Sequence, residues 1–183
     1  MFKYLVTLVF IIILMVSVAS ASPLQKGDKF PNVELKGELK DNQIEYLGLQ
    51  GAGPWKIADI DADYIVVEVF SMYCPHCQKE APYVNKLHDK LLKIDNSKKI
   101  KIIGIGAGNS EFEINFFKEK FKIDLPLFSD ADLNINSNLG GTGTPHFFLV
   151  KMKDSNLKTV YSHPGRMKNC NDFLKKITNI TGR

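Results

Sequence analysis

A run of apolar residues, Tyr64-Ile-Val-Val-Glu-Val-Phe-Ser-Met-Tyr73, stops at Cys74-Pro-His-Cys77 and gives way at once to a helical pattern. The run is broken only by Glu68, which suits a strand buried on both faces of a sheet. A strand of that kind needs cover on either side, so the chain is read as α/β with a central, partly parallel sheet. The cysteines fall where the strand hands over to a helix behind a proline. A thiolate there feels the partial positive charge of unpaired backbone N–H groups, so its pKa falls and it becomes a nucleophile near neutral pH. The spacing lets one sulfur attack a partner and the other resolve the product. One Cys-x-x-Cys is ambiguous by itself, because two such pairs build a zinc site and a following His can attach haem. Here Gln78 follows, and the third cysteine, Cys170, lies far downstream without that spacing. A four-thiolate zinc site cannot be assembled, and redox chemistry without a metal is the reading.

One compact domain is enough for 183 residues that are 44% hydrophobic. The net charge of +4 is small and the lysines are scattered among acids, which argues against a nucleic-acid partner. Lys3 precedes an apolar stretch over residues 4–18 that ends in Ala19-Ser20-Ala21, a small-x-small cleavage signal. Residues 1–21 are therefore read as a signal peptide and residues 22–183 as the domain. An uncleaved membrane anchor is the alternative, since residues 4–21 barely suffice to span about 30 Å of hydrocarbon. Both readings place the domain in the periplasm or another extracytoplasmic space, secreted or anchored to the inner membrane. A dithiol there either donates disulfides or must be kept reduced.

Along the rest of the chain, Asn32-Val-Glu-Leu35 and Ile44-Glu-Tyr-Leu47 alternate between Gly and Pro punctuation and are expected to pair as an N-terminal hairpin. Val84, Leu87, Leu91 and Ile94 recur at helical spacing after Cys77, with Pro82 expected to bend that helix. Lys101-Ile-Ile-Gly-Ile105 reads as a second buried strand. Ser110 and Glu113 form a capping box that starts a second helix near Glu111. A short helix is expected over residues 132–139. His146-Phe-Phe-Leu-Val150 and Thr159-Val-Tyr-Ser162 flank a polar turn around residues 154–156, the pattern of an antiparallel hairpin. A last helix covers residues 169–180, with Met167, Cys170, Phe173 and Ile177 on its apolar side, so that Cys170 is expected to be buried and inert. The order predicts a mixed sheet with helices on both faces.

These residues carry a resemblance. Glu68-Val-Phe-Ser-Met-Tyr-Cys-Pro-His-Cys77, followed by Gly143-Thr-Pro-His-Phe-Phe-Leu149, resembles a thioredoxin-fold protein over most of the domain. Lys26-Gly-Asp-Lys-Phe-Pro31 resembles the N-terminal β extension of the exported TlpA/ResA thiol-disulfide oxidoreductases, residues 121–130 resemble their central insertion, and Glu80-Ala-Pro82 matches their Glu-x-Pro. Cys-Pro-His-Cys with a glutamate six residues ahead is instead similar to the oxidase DsbA, although the interval from Cys77 to Pro145 is too short for DsbA's inserted helical domain. Tyr73 stands where most relatives have tryptophan.

The resemblance implies a reductase of the cytochrome c maturation type, acting on cysteine-containing protein substrates and fed by a membrane electron carrier of the DsbD/CcdA type. A DsbA-like oxidase or isomerase is the alternative. It implies no cofactor beyond the Cys74–Cys77 disulfide. It also implies that Pro145 is cis, exposing the backbone of Thr144 to an incoming substrate strand. Cys74, nearer the helix terminus, is expected to attack, and Cys77 to resolve. Pro75 fixes the loop, and His76, through its side chain or dipole, stabilises the Cys74 thiolate. Glu68 on an apolar strand is costly unless partnered or protonated; resemblance assigns it the Cys77 proton, and Glu80, one helical turn past Cys77, can reach the same region. A peroxidase would need a Pro-x-x-x-Thr neighbourhood before the cysteine, which is absent. A copper-delivery module would use Cys-x-x-x-Cys, a wider spacing than this one.

Overall fold

The computed structural model describes residues 22–94, 99–153 and 156–182. The expected leader or anchor and the centre of the turn at 154–155 lie outside these residues. Among the described residues, no helix is long and apolar enough to cross a membrane.

The fold is built on β3 (Tyr64–Phe70), the strand read from the opening run. It lies at the centre of a five-stranded mixed sheet with β4 (Ile100–Ala107) and β5 (Leu127–Asp130) on one side and β6 (His146–Lys151) and β7 (Lys158–Pro164) on the other. β3, β4 and β5 run parallel, whereas β6 is antiparallel to both β3 and β7. The parallel pairs are joined by α2 (Pro75–Lys93) and α3 (Glu111–Phe121), as crossover connections require. The capping box of α3 is present, with Ser110 Oγ accepting from the Glu113 N–H and Glu113 Oε2 accepting from the Ser110 N–H. Helix α2 continues through Pro82 to Lys93. A short α4 (Asn134–Asn138) precedes the β6–β7 hairpin, and α5 (Cys170–Thr181) closes the chain.

Side chains alternate across a strand with a period of two, so β3 feeds two cores. Tyr64, Val66 and Phe70 meet Val84 and Leu87 of α2, Phe117 of α3 and Phe173 of α5. Ile65, Val67 and Val69 meet Phe30, Leu47, Ile57 and Leu139 on the opposite face. Glu68 shares the register of Val66 and Phe70 and therefore lies on the α2 face. Its partners in the neighbouring strands are Gly104 and Phe147. Gly104 has to lack a side chain: a Cβ there would lie 2.4 Å from Leu127 Cδ2 and 3.2 Å from the Phe70 ring.

The N-terminal segment is part β and part helix. β1 (Glu34–Leu35) pairs with β2 (Trp55–Lys56), and the expected second strand at Ile44-Glu-Tyr-Leu47 is instead the end of α1 (Asp41–Leu47). The correction has a local cause. The Lys40 N–H donates to Gln43 Oε1 at 3.2 Å, and Gly48 closes the helix at φ 68°, a left-handed value glycine adopts without strain. Ile44 and Leu47, three apart, then face the core together. Before α1, the Phe30 N–H donates to Leu157 O beside β7, and Ser129 of β5 donates to Lys36 O. Six residues of extended chain span about 20 Å, roughly the width of five strands, so the extension crosses the face and touches both sheet edges.

Candidate active site

At the C-terminal end of β3, residues 71–74 form a turn in which the Cys74 N–H donates to Ser71 O at 3.0 Å. Asn109 Oδ1 holds the Met72 N–H at 2.8 Å, and Gln78 Nε2 holds the Met72 carbonyl at 2.8 Å. The turn delivers Cys74 to the N-cap of α2, with Pro75 at the first helical position, where its missing N–H costs nothing.

All three cysteines are free thiols. Cys74 is partly exposed and Cys77 is buried. Burial works against ionisation of Cys74, but hydrogen bonds from the Thr144 hydroxyl, from the backbone N–H of Cys77, from the Cys77 thiol and from the backbone N–H of His76 together pull its pKa below the ordinary thiol value. As a thiol it donates instead to Thr144 O at 3.2 Å. What His76 contributes is thus its main-chain N–H. Its imidazole stands exposed. Cys77 is pushed strongly upward, first by burial and then by the nearby Glu68 carboxyl, despite an opposing bond from the Ser71 backbone. The helix terminus therefore makes two unlike thiols: an accessible one that ionises readily and a buried one that holds its proton.

Glu68 is 5% exposed, and among the described residues its carboxyl has no hydrogen-bond partner. Burial, with a smaller contribution from the charge of Glu80, pushes its pKa up to about 8. Glu80 is fully buried but paired. Arg166 Nε donates to its Oε2 at 2.6 Å and the Met167 N–H donates to its Oε1 at 2.9 Å. Sequence reasoning placed Glu80 here and missed Arg166, which lies 86 positions away on the loop between β7 and α5 and carries no local signal of its partner.

Thr144 and Pro145, joined by a cis peptide bond, stand beside Cys74. They line a cavity of about 330 Å³ together with Pro23, Gln25, His146 and Ser162. His146 falls on the face away from Cys77, in register with Phe148, on which its ring stacks. Its Nε2 is 2.8 Å from Ser162 Oγ, and burial lowers its pKa to about 4. Cys170 is buried with Phe173 and Ile177, and burial raises its pKa. Tyr73 is exposed and donates its hydroxyl hydrogen bond to Glu113. Among the described residues, no three of His, Cys, Asp and Glu group as a metal-ligand set.

Residues 25–175 match the family model described as Redoxin. The thiol-disulfide oxidoreductase ResA of Bacillus thuringiensis (strain Al Hakam) is 24% identical over 160 residues, covering 87% of this chain and 83% of the relative. ResA of Bacillus subtilis (strain 168) is 21% identical over 142 residues, 78% and 70% of the two chains. Among solved structures, a thiol:disulfide interchange protein DsbE from Chlorobium tepidum superposes with a TM-score of 0.65 at 20% identity, over 86% of this chain and 98% of the other. StoA from Bacillus subtilis superposes at 0.52 and 21% identity, over 64% and 83%. The similarity to these structures establishes a thioredoxin-like fold.

Proposed function

This chain belongs to the Redoxin family and is a thiol-disulfide oxidoreductase, and on that premise we propose that it reduces disulfides in partner proteins through Cys74 and Cys77. The observation that carries the reading is the asymmetry of the two thiols at the start of α2: Cys74 accessible and acidic, Cys77 buried and proton-bound above Glu68. The Cys74 thiolate attacks one sulfur of a substrate disulfide. The other substrate sulfur leaves as a thiolate and takes a proton from solvent, and a mixed disulfide remains. Cys77 then loses its proton and attacks Cys74, releasing the second substrate thiol. Two electrons pass to the substrate, and the protein is left with a Cys74–Cys77 disulfide.

Glu68 is the proton carrier for the second step. A carboxyl with a pKa of about 8 exists in both forms near neutrality, so its ionised fraction accepts the Cys77 proton and its neutral form returns it in the reverse direction. Glu80, with both oxygens engaged, is a fixed anion in this scheme. Pro75 fixes the first helical turn, and the backbone N–H of His76 serves the thiolate. Thr144 and Pro145 offer backbone to an extended substrate segment lying beside Cys74, a role supported by the contact between Cys74 Sγ and the Thr144 carbonyl.

The ResA relatives support a thiol-disulfide oxidoreductase acting on cysteine-containing proteins, and the resemblance of residues 26–31 and 80–82 to the TlpA/ResA enzymes extends the proposal to a reductase of the cytochrome c maturation type recharged by a membrane electron carrier of the DsbD/CcdA type. The leader or anchor at residues 1–21 supports an extracytoplasmic location. No cofactor beyond the dithiol enters the scheme. The Cys77→Ser variant tests it: incubated with a disulfide-bonded Cys-x-x-Cys-His peptide, it should accumulate a mixed disulfide at Cys74, while the unaltered protein releases the reduced peptide. Rapid formation of peptide disulfide by the oxidised protein, with no reduction by the dithiol form, would support the oxidase reading instead.

A further inference from the structure

We propose that Arg166 is a positioning residue for the dithiol chemistry: it holds Glu80 as an anion under the first turns of α2 and ties that anion to the loop beside which substrate docks. The inference rests on the proton-carrying role given to Glu68 and names what regulates it. Three consecutive residues after β7 carry the argument. The Gly165 N–H donates to Pro145 O at 2.8 Å, Arg166 Nε to Glu80 Oε2 at 2.6 Å, and the Met167 N–H to Glu80 Oε1 at 2.9 Å. One short loop thus joins the Thr144–Pro145 segment to a buried carboxylate on α2.

The guanidinium is itself fixed. Its Nη2 donates to Lys79 O at 3.2 Å, its Cζ lies 5.4 Å from the Tyr83 ring centroid, and the Arg166 carbonyl is 3.1 Å from His163 Nε2. The Glu80 carboxylate is completely shielded from solvent, while the Arg166 side chain remains 27% exposed. A buried anion of this kind persists only while its cation stays in place. The titratable and charged groups that face Glu68 and Glu80 are Cys77 and Tyr83 on α2, Arg166 on the β7–α5 loop and Cys170 on α5, with Lys86 and Lys90 of α2 acting in turn on Cys170. Gly104 and Phe147 flank Glu68 from β4 and β6 without charge. Arg166 is the cation in direct contact with Glu80, so its removal leads Glu80 to take up a proton and withdraws the negative charge that helps to raise Glu68.

The test is the pH profile of dithiol oxidation by oxidised glutathione in five variants. Arg166→Gln should displace the carboxylate limb downward, toward the position reached by Glu80→Gln. Arg166→Lys, which keeps the charge but not the planar fork, should show a smaller downward displacement. Glu80→Gln should displace the limb downward, and Arg166→Gln added to Glu80→Gln should move it no further. A folded Arg166→Gln with the parent profile would overturn the proposal, reducing Arg166 to a clamp on stability. So would a further shift in the double variant. Should Arg166→Gln not fold, Arg166→Lys decides: a downward shift supports the proposal, and an unchanged or upward-shifted profile refutes it. Glu68→Gln separates the two layers, since loss of the limb confirms that Glu68 carries the proton, whereas an unchanged limb there defeats the proton-carrier reading itself.

Discussion

On β3, odd and even residues meet different surroundings. Ile65, Val67 and Val69 are packed against Phe30, Leu47 and Ile57 beneath the N-terminal extension, and nothing on that stretch of strand can ionise. Tyr64, Val66 and Phe70 are packed as tightly against α2, α3 and α5, yet the even register also carries Glu68, with Cys77 and Glu80 on the helix above it. A single strand therefore serves as plain scaffold on one side and as the floor of a redox site on the other. The contrast shows on which side β3 itself carries its buried acid: the face where α2 begins. His146 makes the same point from the other side, because it sits next to Pro145 in sequence but falls on the opposite face, where it is neutral and hydrogen-bonded to Ser162.

The difference between the faces is open to attack by substitution. The largest effect is expected at the helix start. Cys74→Ser should abolish disulfide exchange in a peptide-reduction assay, and residual turnover would break the assignment of the attacking thiol. Next in size is the pH dependence of stability. Glu68 has a folded pKa of about 8 against an ordinary 4.5, so the folded state binds the extra proton between those values. The contribution of Glu68 to stability is then greatest below pH 4.5, falls as pH rises through the window, and levels off above about 8, a loss of roughly a few kcal/mol at about 1.4 kcal/mol per unit. Urea unfolding of Glu68→Gln should lack that slope; the same slope in the variant would mean that another group causes it.

Smaller effects sharpen the comparison of the faces. Gly104→Ala drives a methyl group into Leu127 and Phe70 on the α2 face and should cost about 1–3 kcal/mol in the same unfolding experiment. Ile65→Val on the opposite face should cost only about 0.5–1.5 kcal/mol and leave the pH profile of exchange untouched. A displaced profile from that substitution would show that the two faces are coupled.

Much of this arrangement could be read from the chain, because β3, β4 and the helix after Cys77 each carry a strong period, and Ser110 with Glu113 announces α3. Those periods led to a mixed α/β sheet, and the thioredoxin-like fold came from the resemblance carried by Glu68–Cys77 and Gly143–Leu149. Where Ile44-Glu-Tyr-Leu47 was expected to be a strand, two apolar residues three apart fit either period over so short a stretch, and the turn chemistry at Lys40 and Gly48 settled it as helix. Cys74, Cys77 and the burial of Glu68 followed from local pattern. The engagement of Glu80 did not, since its partner approaches from the β7–α5 loop and long-range pairing leaves no trace in spacing. Nor did the exposure of the His76 imidazole, which depends on the direction in which the first turn of α2 faces.

That exposure bears on the direction of electron flow. The groups that favour the Cys74 thiolate are Thr144, the backbone N–H groups of Cys77 and His76, and the Cys77 thiol, and the proposed reductase activity requires that they leave the pair a reductant. The most direct test is the reduction potential of Cys74 and Cys77 in the domain of residues 22–183, equilibrated against glutathione or dithiothreitol buffers at neutral pH. A reductase requires a value on the side of thioredoxin, at about −270 mV. A value near that of DsbA, at about −120 mV, would contradict it and make the protein an oxidant.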